Sequence, residues 1–146
     1  MANPNLIQNG GFEQGTIPSS PPTSWSGNGS SETGGHQLLG SSNALLTATQ
    51  TIFQTIPSVT VGEIYTFQVG FHVTDPTGSG GTILVDVSGN PLRSFPINNI
   101  VSDRYAMYNF DFVPSSTSVT IRITFQPLDD SGQAQLRIDV VSVKLS

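Results

Sequence analysis

The chain has no cysteine. Disulfides, thiolate nucleophiles and cysteine-based zinc or iron–sulfur sites are thereby excluded. It is also poor in charge. Asp, Glu, Lys and Arg make up 10% of its 146 residues, against about 25% in ordinary soluble domains. Lys144 is the one lysine, and Arg93, Arg104, Arg122 and Arg137 are scattered. With ten acids the formal net charge is -5. Phosphate backbones are bound by clustered Lys and Arg, so nucleic acid is excluded as a partner. No apolar run approaches the ~18 residues of a membrane helix, and no membrane partner is expected. Met1-Ala2-Asn3-Pro4 lacks the basic start and apolar stretch of a secretory signal, so synthesis in a cytoplasm without a Sec-type address is expected. Lysine commonly protects the edge strands of β proteins. Its scarcity leaves two readings: turns and bulges shield the edges, or an assembly covers them.

What is present is β-type. A chain of 146 residues is one domain by size, residues 1–146, and a domain of this length buries ~68–70% of its unfolded surface without staples. Tyr65, Phe67, Val69, Phe71 and Val73 alternate with Thr66, Gln68, Gly70 and His72, which predicts a half-buried strand. The same period recurs at Ile83–Val87, Tyr108–Phe112 and Val119–Phe125. Shorter candidates are Asn5–Gln8, Ala44–Thr49, Ile52–Ile56 and Leu92–Ile97, and a long strand closes the chain. Turn signals separate them at 57–63, 75–81, 88–91, 114–117 and 128–132. The expected fold is all-β: an antiparallel β-sandwich of jelly-roll type with about eight or nine strands, its first and last strands close together. Gln14 to Gly40 carries no strand pattern and reads as a long loop holding Trp25, the only tryptophan. Loops of that length in a compact domain are usually functional or disordered.

Nothing between the two ends has a catalytic pattern. There is no nucleophile elbow and no phosphate loop. A glycosidase needs two carboxylates facing each other across a sugar. Most of the acids here fall in turns or on outward strand positions, and Asp129-Asp130 reads as a turn pair. His36 falls in the long loop and His72 on a solvent-facing strand position. No enzyme activity is expected.

Glu13 and Asp139 form the more informative pair. Glu13 follows the Gly10-Gly11 turn. Asp139 shares parity with Val141, Val143 and Leu145, so a regular strand would aim it at the core. A buried carboxylate must be paired or bound to a metal, and two carboxylates with backbone carbonyls would suit Ca²⁺. The alternative stays open. A bulge near Val140-Val141 would turn Leu136, Ile138 and Val140 inward and leave Asp139 in solvent, and Arg137 or Arg122 would serve as neutralising partners. Trp25, Tyr105 and Tyr108 are the candidate stacking platform for a sugar. The competing reading makes Trp25 a plug at one end of the core and Tyr108 a core strand residue.

Asn5-Leu6-Ile7-Gln8-Asn9-Gly10-Gly11-Phe12-Glu13, then Trp25, Ser42-Asn43-Ala44-Leu45-Leu46, Phe53-Gln54-Thr55-Ile56, Gly62-Glu63-Ile64-Tyr65-Thr66-Phe67 and Ile138-Asp139-Val140-Val141-Ser142-Val143 together resemble the jelly-roll carbohydrate-binding-module superfamily. The resemblance implies that Glu13 and Asp139 help hold a structural calcium. Val140 stands where that family often has a second acid. The extreme N-terminus, Met1 to Glu13, resembles the domain that precedes collagen-like triple-helix repeats in surface proteins of spore-forming Bacillus relatives. That implies a spore-surface, exosporium or appendage component made without a signal peptide. No Gly-X-Y repeat follows Ser146, so the chain is read either as complete without a stalk or as the head of a longer protein.

Two functions follow as expectations. The first is a non-catalytic structural domain at a spore or cell surface that self-associates into a homo-oligomer or fibre. The alternative is a carbohydrate-binding module that recognises a surface glycan through Trp25, Tyr105 and Tyr108 or through the long loop.

Overall fold

The structure, a computed structural model, describes residues 3–34, 38–76, 78–100, 104–128 and 133–146. The candidates His36, Asp129 and Asp130 lie outside the described residues. Ten strands are present among those described: β1 Ser26–Gly27, β2 Ser30–Glu32, β3 Asn43–Leu46, β4 Thr51–Ile56, β5 Tyr65–Thr74, β6 Gly81–Val87, β7 Arg93–Pro96, β8 Ala106–Phe112, β9 Val119–Pro127 and β10 Gln135–Leu145. They form two five-stranded sheets, ordered β1-β4-β9-β6-β7 and β2-β3-β10-β5-β8. Every pairing is antiparallel. The all-β sandwich expected from the alternating strands is what the chain forms.

The alternation decides which residues fill the space between the sheets, because successive side chains on a strand point to opposite faces. Phe67, Val69, Phe71 and Val73 of β5 are fully buried, as are Ile121, Ile123 and Phe125 of β9 and Ile83 and Val85 of β6. Gln54 takes an inward place on β4 between Ile52 and Ile56. Its amide donates to the Gln8 and Ser24 carbonyls and accepts from the Gln8 amide, so this buried polar group is satisfied.

β10 departs from regular alternation. Its register against β5 shifts between Asp139 and Ser142, and Val140 has φ 49, a conformation that L-residues with branched Cβ atoms rarely adopt. A bulge was the alternative expectation here, but Val140, expected to turn inward with Leu136 and Ile138, is half-buried outside the core. Leu136 and Ile138 face the core on one side of the bulge, and Val141 and Val143 on the other. Asp139 therefore does not point into the core, which corrects the parity argument. Nor does it point into solvent, since it is 0% exposed; the loop before β3 covers it.

Asn5–Gln8 does not form a strand, although it runs beside β10 as expected for the first segment. The Leu6 amide donates to the Val143 carbonyl. The Asn5 side chain takes over the next rungs, donating to the Val141 carbonyl and accepting from the Val143 amide. A side chain replaces the backbone there because the bulge has broken the ladder's spacing. The Gln14–Gly40 stretch, read as strandless, contains β1 and β2. Both are too short and too rich in Ser and Gly to show a period.

Candidate functional site

The Asn9-Gly10-Gly11-Phe12 turn is built around one carbonyl. Asn9 sits at φ 52, a conformation Asn tolerates better than most residues. Its carbonyl accepts from the Phe12 amide at 3.2 Å and from the Trp25 indole at 3.1 Å. Trp25 is 4% exposed and stacks on Phe12 with ring centroids 5.5 Å apart. The indole thus plugs the end of the core and offers no open face. Tyr108 lies on the inward side of β8, packed against Phe71 and Phe95 at 5.9 and 5.0 Å. Tyr105 lies apart from both, its ring 5.4 Å from that of His72. The three aromatics proposed as a stacking platform are not brought together, because two of them are needed inside the sandwich.

The outward face of the second sheet is where polar chemistry collects. One row across it pairs Leu45 of β3 with Arg137 of β10, and Arg137 with His72 of β5. The next pairs Asp139 with Gly70, and Gly70 with Met107 of β8. Then come Ser142, Gln68 and Asn109, and finally Lys144, Thr66 and Asp111. Arg137 is almost fully buried and donates to Glu32 at 2.7 Å, with further bonds to Gln135 and Thr74. Asn43 Nδ2 donates to the same Glu32 carboxylate. The Tyr105 hydroxyl and the Asn43 side-chain carbonyl are buried without a hydrogen-bond partner among the described residues. Burial pushes the Tyr105 phenol above its ordinary range, and the Asp139 charge adds to the effect.

Loop 38–42 folds over this face, and two carboxylates hold it. Asp139 Oδ2 accepts from the Leu38 and Leu39 amides, both at 3.0 Å, and Oδ1 from the Val140 amide at 2.8 Å. Glu13 accepts from the Ser41 amide and hydroxyl and from the Ser42 amide at 2.7 Å. These bonds, the Ser41 amide foremost, hold the Glu13 carboxyl below its ordinary range. Asp139 moves the other way, because removal from water outweighs its three amide bonds. Glu13 and Asp139 are thus brought to one loop, as their pairing at the two ends of the chain suggested. As arranged, the pair has little left to offer a cation: of the roughly four lone-pair sites on a carboxylate, four contacts fall on Glu13 and three on Asp139. Nor do three or more His, Asp or Glu residues lie together as a metal-binding group among the described residues.

Beside the loop lies an open groove of about 580 Å³. Leu38 and Leu39 form one wall, Met107 and Gln68 lie on the floor strands, and Ser142 and Lys144 stand on β10; Gly10 and Gly11 close it. Gly70 keeps the floor low, since Leu38 Cδ2 and Met107 Sδ both lie 3.1 Å from where its Cβ would be. Sequence reasoning missed these residues. Gln68 read as an ordinary outward position, Met107 fell before the strand expected at Tyr108–Phe112, and only the loop crossing above turns them into a groove.

No family model matches the chain, and no curated protein matches it by sequence. Solved structures do match its fold. TmCBM61, solved in complex with beta-1,4-galactotriose, has a TM-score of 0.69 at 15% identity, over 98% of this chain and 99% of that one. The CBM22-1 xylan-binding domain of Paenibacillus barcinonensis Xyn10C has a TM-score of 0.63 at 12% identity, over 99% and 96%. The α-L-arabinofuranosidase MgGH51, bound to arabinose, has a TM-score of 0.73 at 14% identity; 98% of this chain matches 26% of that one. The chain thus spans about a quarter of that enzyme's length. At these identities the likeness is one of fold, the jelly-roll sandwich of carbohydrate-binding modules.

Proposed function

We propose that the protein is a non-catalytic carbohydrate-binding domain whose ligand lies in the groove between loop 38–42 and strands β10, β5 and β8. The groove is the observation that carries this reading. Sugars combine hydroxyl groups with apolar C–H faces, and a site for them combines polar and apolar side chains. Gln68 and Ser142 face each other across β5 and β10, Lys144 follows on β10, and Leu38, Leu39 and Met107 supply apolar surface beside these polar groups. The fold likeness to sugar-binding modules supports the same reading and favours it over self-assembly at a spore surface. Trp25 and Tyr108 have no part in this site.

A glycan array followed by calorimetry on the best ligand tests it. Gln68→Ala and Met107→Ala change exposed side chains, so both variants should keep the wild-type melting temperature. Each should weaken binding at least about tenfold, or about 1.4 kcal/mol. An array with no bound glycan, or affinity untouched in both variants, overturns the reading. Sedimentation of the same samples checks the competing function, for which a concentration-dependent oligomer is the expected result.

A further inference from the structure

Loop 38–42 aims its backbone at two anions. The amides of Leu38, Leu39, Ser41 and Ser42 all donate to Asp139 or Glu13. The residue between the two pairs is Gly40, at φ 72. A Cβ there would lie 2.6–2.9 Å from the carboxylate atoms of Glu13, so the backbone comes this close only without a side chain. Successive N–H groups converging on an anion form a concave donor cradle. Here the cradle lies in the loop and the anions lie on the sandwich.

We infer that Glu13 and Asp139 are positioning residues that hold the groove's Leu38–Leu39 wall through four loop amides, doing without metal what the family resemblance assigns to calcium. A hard cation needs several free carboxylate and carbonyl lone pairs, and hydrogen bonds from the loop and from Val140 already occupy most of those on Glu13 and Asp139. Asp139, fully buried, accepts three amide bonds, which offset part of the cost of burying its charge without a metal. The Val140 bulge is part of the device. It turns Asp139 outward beneath the loop while its own amide supplies the third bond. The description of the loop as a groove wall rests on the proposed function; the latch does not.

Amide hydrogen exchange by NMR, in chelator and again in millimolar Ca²⁺, tests the latch. The Leu38, Leu39, Ser41 and Ser42 amides should be equally protected in both, with identical melting temperatures. Asp139→Asn should lower protection of Leu38 and Leu39 at least about tenfold, and Glu13→Gln that of Ser41 and Ser42, since charge-assisted bonds are the strong ones. Gly40→Ala should expose all four while leaving core amides of β5 and β9 unchanged. If Asp139→Asn does not fold, Glu13→Gln decides the matter, because Glu13 lies at the surface. Protection lost in chelator, a melting temperature raised by Ca²⁺, or full protection in Glu13→Gln overturns the inference. Sugar binding is scored separately through Gln68→Ala. Lost sugar affinity with intact protection speaks to the groove alone, and lost protection without any sugar ligand speaks to the latch alone.

Discussion

The Val141 amide donates to the Gly10 carbonyl at 2.9 Å, which seats the Gly10-Gly11 turn directly on the bulge of β10. A Cβ on residue 10 would run into the Val141 carbonyl, and neither backbone can yield without losing that bond. Gly10→Ala is expected to destabilise the fold by about 1–3 kcal/mol, the usual cost of overpacking. Each kcal/mol is worth roughly 2–4 °C for a chain near this size. Thermal unfolding followed by circular dichroism reads the shift; an unchanged midpoint would show that the turn stands off the strand.

Val140 carries a branched side chain at φ 49, where an L-residue is strained by about 1–2 kcal/mol. Val140→Asn should recover part of that strain, because Asn is enriched in the left-handed region. The Val140 amide keeps its bond to Asp139 in either case. Chemical denaturation should show a midpoint raised with the slope unchanged, and a lowered midpoint would contradict this account of the bulge.

Trp25 is a core residue. Trp25→Ala should cost about 3–5 kcal/mol, as large-to-small changes in cores do, and should leave the Asn9 carbonyl without its indole donor. Any glycan binding lost in this variant will therefore track unfolding, which calorimetric melting of the same sample will reveal. A variant that melts like wild type would place Trp25 at the surface.

The Tyr105 hydroxyl is buried with no partner among the described residues, and an unmade hydrogen bond of that kind costs about 1–3 kcal/mol. Tyr105→Phe should thus match or exceed wild-type stability at pH 7. The phenol's pKa is raised by burial. The unfolded chain therefore loses that proton first, near pH 10. The stability contributed by the neutral phenol is complete below that pH and is lost as pH rises through the folded value. Tyr105→Phe should lose less stability than wild type between pH 9 and about 11, as measured by urea titration. Equal losses in the two proteins would mean that the hydroxyl is solvated.

The strands were legible in residues such as Phe67, Val69 and Phe71, because burial of one sheet face imposes a period of two on the sequence itself. Asn9-Gly10-Gly11-Phe12 was legible for a related reason, since Gly-Gly marks a turn locally and the close approach of the Val141 carbonyl leaves no room for a Cβ at Gly10. β1 and β2 were not, as strands of two or three residues fit no period and are held by neighbours such as Phe53 and Leu45.

Composition and local pattern alone determined the all-β class and the places of the core strands, and they singled out Glu13 and Asp139 as a pair. What those carboxylates touch was decided only in three dimensions. One residue's slip in β10 reverses which face Asp139 occupies, and slips of that kind leave no mark on the alternation around them. The groove is likewise a tertiary product. Gln68 and Met107 are ordinary outward residues until a loop some 30 residues earlier in the sequence than Gln68 is drawn over them, and the backbone amides that draw it there are common to every residue type except proline.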